Sequence, residues 1–120
     1  MRHKLLIVED SDLNRDLLLQ IFEDSYDIEI ALDGESAVEM ASAVQPDLIL
    51  MDIGLPGLSG LDAVRAIRAR AVSVPIIAVT SRVMPGDKER AFSAGCNAFV
   101  SKPIDDMLLM DMVDHLLVLS

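Results

Sequence analysis

The stretch Asp47-Leu48-Ile49-Leu50-Met51-Asp52-Ile53-Gly54-Leu55-Pro56-Gly57 decides the fold. An apolar run leads to the carboxylate of Asp52, and glycines and a proline mark a loop directly after it. A short apolar run without polar alternation is typical of a strand buried on both faces, as in parallel sheets covered by helices. Such sheets bind ligands at the carboxyl ends of their strands, so Asp52 is a candidate site residue.

The same pattern of an apolar run followed by helical spacing recurs along the whole chain. The predicted strands are 5–8, 27–32, 47–52, 75–79 and 97–100, and the predicted helices are 13–22, 35–45, 61–70, 85–94 and 104–119. Five strand-helix units with short connections allow right-handed crossovers. The sequence therefore predicts one α/β doubly wound domain over residues 1–120, with a five-stranded parallel sheet and five helices.

Composition argues against several classes of partner. A net charge of -10 would repel a phosphate backbone, and an aromatic content of 3% leaves few rings on which bases could stack. The apolar runs are too short to span a bilayer. Cys96 has no second cysteine for a disulfide, so we expect it to be a small buried residue. We expect a cytoplasmic protein that binds neither nucleic acid nor membrane directly.

The candidate site residues lie at the ends of four of the five predicted strands. Because parallel strands end at the same edge of a sheet, these side chains are expected to converge; they are Glu9, Asp10, Asp52, Thr80, Ser81 and Lys102. Three close carboxylates repel one another, and a divalent cation would relieve the repulsion. Magnesium prefers oxygen ligands, so Asp10 and Asp52, with Glu9 behind them, form a candidate magnesium site.

This set of groups suits one kind of chemistry. A cation and the ammonium of Lys102 on either side of a carboxylate would neutralise the charge that develops during phosphoryl transfer. Asp52 would then be the nucleophile and would form an acyl phosphate.

The whole chain resembles a response-regulator receiver domain of two-component signalling. The motifs that carry the resemblance are Leu6-Ile7-Val8-Glu9-Asp10, Asp47 to Asp52 with Leu55-Pro56-Gly57 and Ser59-Gly60, Ala78-Val79-Thr80, and Ser101-Lys102-Pro103. The resemblance implies a flavodoxin-like sheet with strand order 2-1-3-4-5. It also implies a phosphorelay partner, either a histidine kinase or a histidine phosphotransfer protein.

Residue roles follow from the resemblance. It implies that Asp52 accepts a phosphoryl group from a phosphohistidine of the partner. Asp10, Asp52 and the backbone carbonyl of Gly54 would coordinate magnesium, with Glu9 acting through water. A receiver domain promotes its own phosphorylation and dephosphorylation and has no separate substrate.

The resemblance also implies a switch. Lys102 would pair with the acceptor carboxylate and then with a phosphoryl oxygen, and the Lys102-Pro103 bond would be cis. The backbone of Ser81 would contact the phosphoryl group, and Thr80 would move toward it. Phe99 would follow inward, and the surface of the fourth helix, fifth strand and last helix would change its partner binding.

Three positions depart from the common family pattern. Gly54 lacks a side chain that could shield or assist an attacking water, Phe99 lacks the hydroxyl of a tyrosine, and Glu9 is longer than the usual aspartate. Thr80 could instead cap the next helix, and Phe99 could be an ordinary core residue.

Two other functions fit parts of the sequence. A receiver-like docking module would act without phosphorylation, and a haloacid-dehalogenase-type phosphotransferase would also use a strand-end aspartate with magnesium. The latter requires a second aspartate where this chain has Gly54. The chain fits either a stand-alone regulator or the receiver of a hybrid histidine kinase.

The last predicted helix is richer in apolar residues than one buried face requires. If Leu109, Val113, Leu116 and Leu117 face the sheet, a second stripe remains, formed by Leu108, Met112 and Leu119. Such a stripe predicts a surface for a downstream target or a second copy of the chain. Alternatively, the helix rolls and buries more of it.

Overall fold

The computed structural model describes residues 2–54, 59–81 and 84–119. Leu55-Pro56-Gly57 of the predicted loop and the side chain of Leu119 lie outside the described residues. Strands and helices alternate along the chain in the order β1 (Lys4–Val8), α1 (Asp12–Phe22), β2 (Asp27–Ala31), α2 (Gly34–Ala43), β3 (Leu48–Asp52), α3 (Gly60–Ala69), β4 (Ile76–Thr80), α4 (Asp87–Ala94), β5 (Ala98–Ser101) and α5 (Asp106–Leu119).

The five strands form one parallel sheet in the order β2-β1-β3-β4-β5. This confirms the doubly wound fold and the strand order that the resemblance implied. Central β3 pairs with β1 through Leu5 and Leu48, and with β4 through Ile49 and Ile76. The register brings the carboxyl ends of β1, β3 and β4 to one edge of the sheet.

Residues of the inner strands β1, β3 and β4 alternate between two apolar layers, which is why these strands are mostly apolar. On one side Leu6, Ile49 and Ala78 belong to the layer that includes residues of α2, α3 and α4. On the other side Leu5 and Leu50 belong to the layer that includes Leu18, Phe22, Leu109 and Val113 from α1 and α5.

The predicted starts of α4 and α5 each shift by two residues. Helix α4 begins at Asp87 instead of residue 85, because Gly86 takes a left-handed conformation with φ of +85° just before it. Thr80 is the last residue of β4 and therefore does not cap α4. Asp105 precedes α5, and its Oδ1 accepts a hydrogen bond from the Leu108 amide at 3.0 Å.

Helix α4 ends at Ala94, the predicted last residue, and Gly95 caps it with φ of +123°. A side chain here would be strained by that φ, and a Cβ would lie 2.8 Å from Cγ of Arg68. Among the described residues, no helix is both long and apolar enough to cross a membrane.

Candidate functional site

Three carboxylates meet at the edge formed by the ends of β1 and β3. Glu9, Asp10 and Asp52 each place an oxygen within 4.8 Å of the others. Glu9 and Asp52 are buried, whereas Asp10 is exposed and leaves the cluster open to solvent. The structure thus brings together the three acidic residues that the sequence predicted.

Lys102 reaches this cluster from the end of β5. Its Nζ lies 2.8 Å from Oε1 of Glu9 and 3.5 Å from Oδ2 of Asp52. Its amide donates to the Thr80 carbonyl at 2.7 Å, which extends the pairing of β4 and β5 beyond the last strand residues. The Lys102-Pro103 bond is cis, as the resemblance implied. Lys102 lies closer to Glu9 than to the predicted acceptor, which the sequence did not indicate.

The ionisation of Glu9 reflects this crowding. Burial raises the pKa of Glu9 above its ordinary value of 4.5, and the neighbouring carboxylate of Asp52 raises it further. Lys102 acts in the opposite direction and lowers that pKa. The Ser11 amide donates to Oε2 of Glu9 at 3.3 Å. A further positive charge at this edge would therefore favour ionised Glu9.

The backbone that follows Asp52 holds its carboxylate. The Gly54 amide donates to Oδ1 of Asp52 at 2.8 Å. A Cβ added to Gly54 would lie 3.5 Å from that oxygen, which is ordinary contact. A side chain at position 54 would therefore stand directly beside the carboxylate.

Gly60 is a further positioning residue to which the sequence reading gave no role. Helix α3 begins at Gly60, where a Cβ would lie only 2.3 Å from Cα of Ile53 and 2.6 Å from the carbonyl oxygen of Asp52. Glycine therefore allows α3 to start directly against the backbone that carries the carboxylate. The signal available in the sequence was a glycine directly before the predicted helix 61–70.

Arg15 is a second positioning residue that the sequence reading missed. Its guanidinium pairs with Asp12 one turn earlier and donates to the carbonyls of Glu9 at 3.3 Å and Asp10 at 3.0 Å. Arg15 thereby ties helix α1 to the segment that carries two of the acidic residues. The three-residue spacing from Asp12 is typical of a helical ion pair and was the available signal.

The predicted switch residues lie on neighbouring strands. Thr80 is buried at the end of β4, and Ser81 follows it and is exposed. Phe99 is half-buried on β5, pairs with Ala78, and packs against the layer formed with α3 and α4. Because strand side chains alternate, Thr80 and Ala78 face the same side of the sheet as Phe99.

The predicted stripe on the last helix is only partly correct. Leu108 is exposed, but Met112 is half-buried and packs against the core layer of Leu109 and Val113. The inclusion of Met112 in an exposed stripe was therefore wrong. Helix α5 is oriented so that Met112, next to the buried Leu109 and Val113, also contacts the core.

The site has the composition that a magnesium ion requires. Carboxylate oxygens are the ligands that magnesium prefers, and the exposed Asp10 gives the cluster a side in contact with solvent. Lys102 adds a positive charge 3.5 Å from Oδ2 of Asp52. Fold and cluster together define a doubly wound α/β domain with a carboxylate-lysine site at its strand ends.

Comparisons with known proteins agree with this class. The pattern described as "Response regulator receiver domain" matches residues 5–114. The polar-differentiation response regulator DivK of Brucella abortus (strain 2308) is 41% identical over 107 residues, which cover 87% of each chain. The chain belongs to the response regulator receiver domain family of two-component signalling.

Solved structures show the same similarity. The receiver domain of sensor histidine kinase PA1611 from Pseudomonas aeruginosa PAO1, with a magnesium ion coordinated in its active-site cleft, is 33% identical with a TM-score of 0.89. The match covers 98% of each chain. Vibrio cholerae chemotaxis protein CheY4 is 26% identical with a TM-score of 0.90, covering 97% of this chain and 99% of that one. Receiver domains are signalling proteins that interact with histidine kinases or phosphotransfer proteins.

Proposed function

We propose that this protein is a phosphorylation-dependent signalling switch with Asp52 as its phosphoacceptor. The phosphoryl group comes from a phosphohistidine of a histidine kinase or histidine phosphotransfer protein, in a magnesium-dependent reaction. The observation that carries the proposal is the convergence of Glu9, Asp10, Asp52 and Lys102 at one sheet edge. The magnesium-bound receiver domain of PA1611 supports the same reading of the acidic cluster.

The transfer is a nucleophilic displacement at phosphorus. A carboxylate oxygen of Asp52 forms a bond to phosphorus as the bond to the partner's histidine nitrogen breaks, and that nitrogen retains the electron pair. Asp10, Asp52 and the Gly54 carbonyl would hold the magnesium ion, with Glu9 acting through water. Bound there, the ion supplies positive charge that compensates the phosphoryl oxygens.

Lys102 compensates the charge from the other side. The phosphoryl group of the acyl phosphate carries up to about two negative charges, where the free carboxylate of Asp52 carries one. Lys102 already lies 3.5 Å from Oδ2 of Asp52 and is shared with Glu9. We expect its ammonium to move from Glu9 toward a phosphoryl oxygen, while the Ser81 backbone contacts another.

Phosphotransfer with defined variants tests this assignment. The wild-type protein, Asp52→Asn and Asp62→Asn are incubated with acetyl phosphate, with and without magnesium, and the added mass is read by mass spectrometry. Wild type and Asp62→Asn should gain one phosphoryl group when magnesium is present, whereas Asp52→Asn should gain none. Asp62 is an exposed aspartate paired with Arg65, so it serves as the matched control.

Two results would contradict the assignment. Normal phosphoryl uptake by Asp52→Asn would place the acceptor elsewhere. Uptake that is unaffected by removing magnesium with EDTA would rule out the proposed metal role.

The switch itself is proposed to run through β4 and β5. Thr80 and Phe99 lie on the same side of the sheet, and Phe99 packs against the layer that includes α4. Movement of Thr80 toward the phosphoryl group would leave space that Phe99 enters. The surface formed by α4, β5 and α5 would change with it, and with it the binding of a downstream target.

Hydrogen exchange tests this coupling. Beryllofluoride with magnesium, which mimics the phosphoryl group, should change amide exchange in α4 and β5 of the wild type. Thr80→Ala should still bind beryllofluoride but should lose most of the change in those two elements. An identical exchange response in Thr80→Ala would refute the role of Thr80.

The last helix is proposed to contact a downstream target or a second copy of the chain. Leu108 is 53% exposed and remains available for such a contact. Met112 is committed largely to the core, and the side chain of Leu119 lies outside the described residues. The usable surface on α5 is therefore different from the predicted stripe.

A further inference from the structure

The outward side of α5 combines apolar and acidic side chains in a regular row. Met107 and Val118 are 76% and 84% exposed, and Asp111 and Asp114 between them are also exposed. These four residues, the outer row, are spaced by four, three and four positions, which places them along one side of a helix. Leu109 and Val113 are fully buried on the opposite side.

The outer row has a defined order and length. Its apolar residues are at the two ends and its two carboxylates are in the middle. Eleven residues of helix span about 16 Å, or roughly three turns. A partner helix packed along α5 would therefore meet an apolar position, two acidic positions and a second apolar position in succession.

The charge around the outer row is uncompensated within the helix. Residues 104–120 contain four aspartates and neither lysine nor arginine. Asp114 accepts a hydrogen bond from the Tyr26 hydroxyl at 2.5 Å, which fixes its carboxylate but adds no positive charge. Arg2 donates to the Tyr26 carbonyl, but it is paired with Asp27.

We propose that the outer row of α5 binds a basic amphipathic helix of a partner protein. The partner would present apolar residues at positions i and i+11, and lysine or arginine at i+4 and i+7. Methionine is well suited to such a surface because its flexible side chain adapts to different apolar partners. The charge complementarity favours this occupant over a second copy, since two acidic rows would repel each other.

This inference rests on the proposed use of the last helix as a partner surface, but not on phosphoryl transfer to Asp52. Two synthetic peptides of identical composition provide the probe. The matched peptide carries leucine, arginine, arginine and leucine in the order given above, and the swapped peptide exchanges the two residue types. Both peptides are titrated by calorimetry into the unphosphorylated wild-type protein.

The matched peptide should bind at least about tenfold more tightly than the swapped peptide, since loss of one well-placed anchor typically has an effect of that size. Its binding should weaken with salt because the contact is partly ionic. All titrations use the unphosphorylated protein without magnesium, so a failure of phosphoryl transfer to Asp52 would leave this result unchanged. Tyr26, the only tyrosine, supplies a second signal because its hydroxyl contacts Asp114.

Substitutions locate the site. Met107→Lys and Asp111→Lys should each lower the affinity for the matched peptide by about tenfold or more. Leu32→Lys and Asp62→Lys replace exposed residues of similar type outside α5 and should leave affinity unchanged. Circular dichroism verifies that all four variants are folded.

Three results would overturn the proposal. One is equal affinity for the two peptides, and another is equal weakening by the control substitutions. The third is concentration-dependent dimerisation, seen by sedimentation, that Met107→Lys abolishes, because this would assign the outer row to a second copy of the chain.

Discussion

Replacing Lys102 by methionine should strongly destabilise the protein when no metal is present. The lysine side chain is 12% exposed and lies between the side chains of Glu9 and Asp52, which are 2% and 9% exposed. Methionine has a similar length but no charge. The substitution would therefore leave two buried carboxylates side by side without their ammonium.

The structure sets the size of the effect. Removing one partner of a buried ion pair costs about 3–5 kcal/mol, because the remaining charge stays desolvated. We expect the lower end of that range, about 3 kcal/mol, since the cluster is open to water at Asp10. For a domain of this length, such a loss corresponds to a melting temperature lower by about 12 °C.

The effect should depend on pH through Glu9. Burial and Asp52 raise the pKa of Glu9, so protonating Glu9 favours the folded state. That stability is present below the ordinary pKa of 4.5 and is lost as the pH rises through the raised value. Because Lys102 lowers this pKa, its removal should destabilise the protein most at neutral pH and less in acid.

Urea unfolding with EDTA present, followed by circular dichroism at neutral and acid pH, measures these quantities. Lys88→Met, which changes an exposed lysine on α4, is the matched control and should differ little from wild type. If Lys102→Met lowers the free energy of unfolding by less than about 1 kcal/mol, the ion pairs of Lys102 contribute no more than exposed ion pairs do. A loss that is equal at both pH values would refute the role assigned to Glu9.

Three further predictions concern other parts of the molecule. Burial raises the pKa of Cys96 to about 11, so the native thiol should resist Ellman's reagent at neutral pH and react once urea unfolds the chain; rapid native reaction would contradict this. Burial and the hydrogen bond to Asp114 raise the pKa of Tyr26 from 10.0 to about 12. The protonated hydroxyl therefore stabilises the folded protein fully below pH 10, and this contribution should be lost as the pH rises through 12. Ultraviolet titration should give that midpoint, and Asp114→Asn should lower it; an unchanged midpoint would exclude the hydrogen bond. Gly60→Ala should lower the free energy of unfolding in urea by about 1–3 kcal/mol, since the added Cβ would overlap Ile53. An unchanged free energy of unfolding would mean that α3 can move away from Ile53 without cost.

Much of the candidate site could be predicted because the topology of a parallel sheet brings residues at the strand ends together. Glu9, Asp10, Asp52 and Lys102 follow apolar runs, and parallel strands necessarily end at one edge. No knowledge of side-chain packing is needed for that step. The supporting roles of Gly60 and Arg15 were missed, because they depend on contacts with backbone atoms that hydrophobic periodicity does not reveal.

The sequence by itself determined the order of strands and helices, the two apolar layers and the identity of the acidic cluster, because these depend on local periodicity and on where each run ends. Only the tertiary structure decided that Lys102 lies nearer to Glu9 than to Asp52. It also decided that α5 buries part of Met112 and exposes Met107 and Val118. Both outcomes depend on contacts between residues that are far apart in the sequence: the ion pairs of Lys102 and the packing of α5 against the sheet. Local sequence patterns do not specify these contacts, which form only when the chain folds.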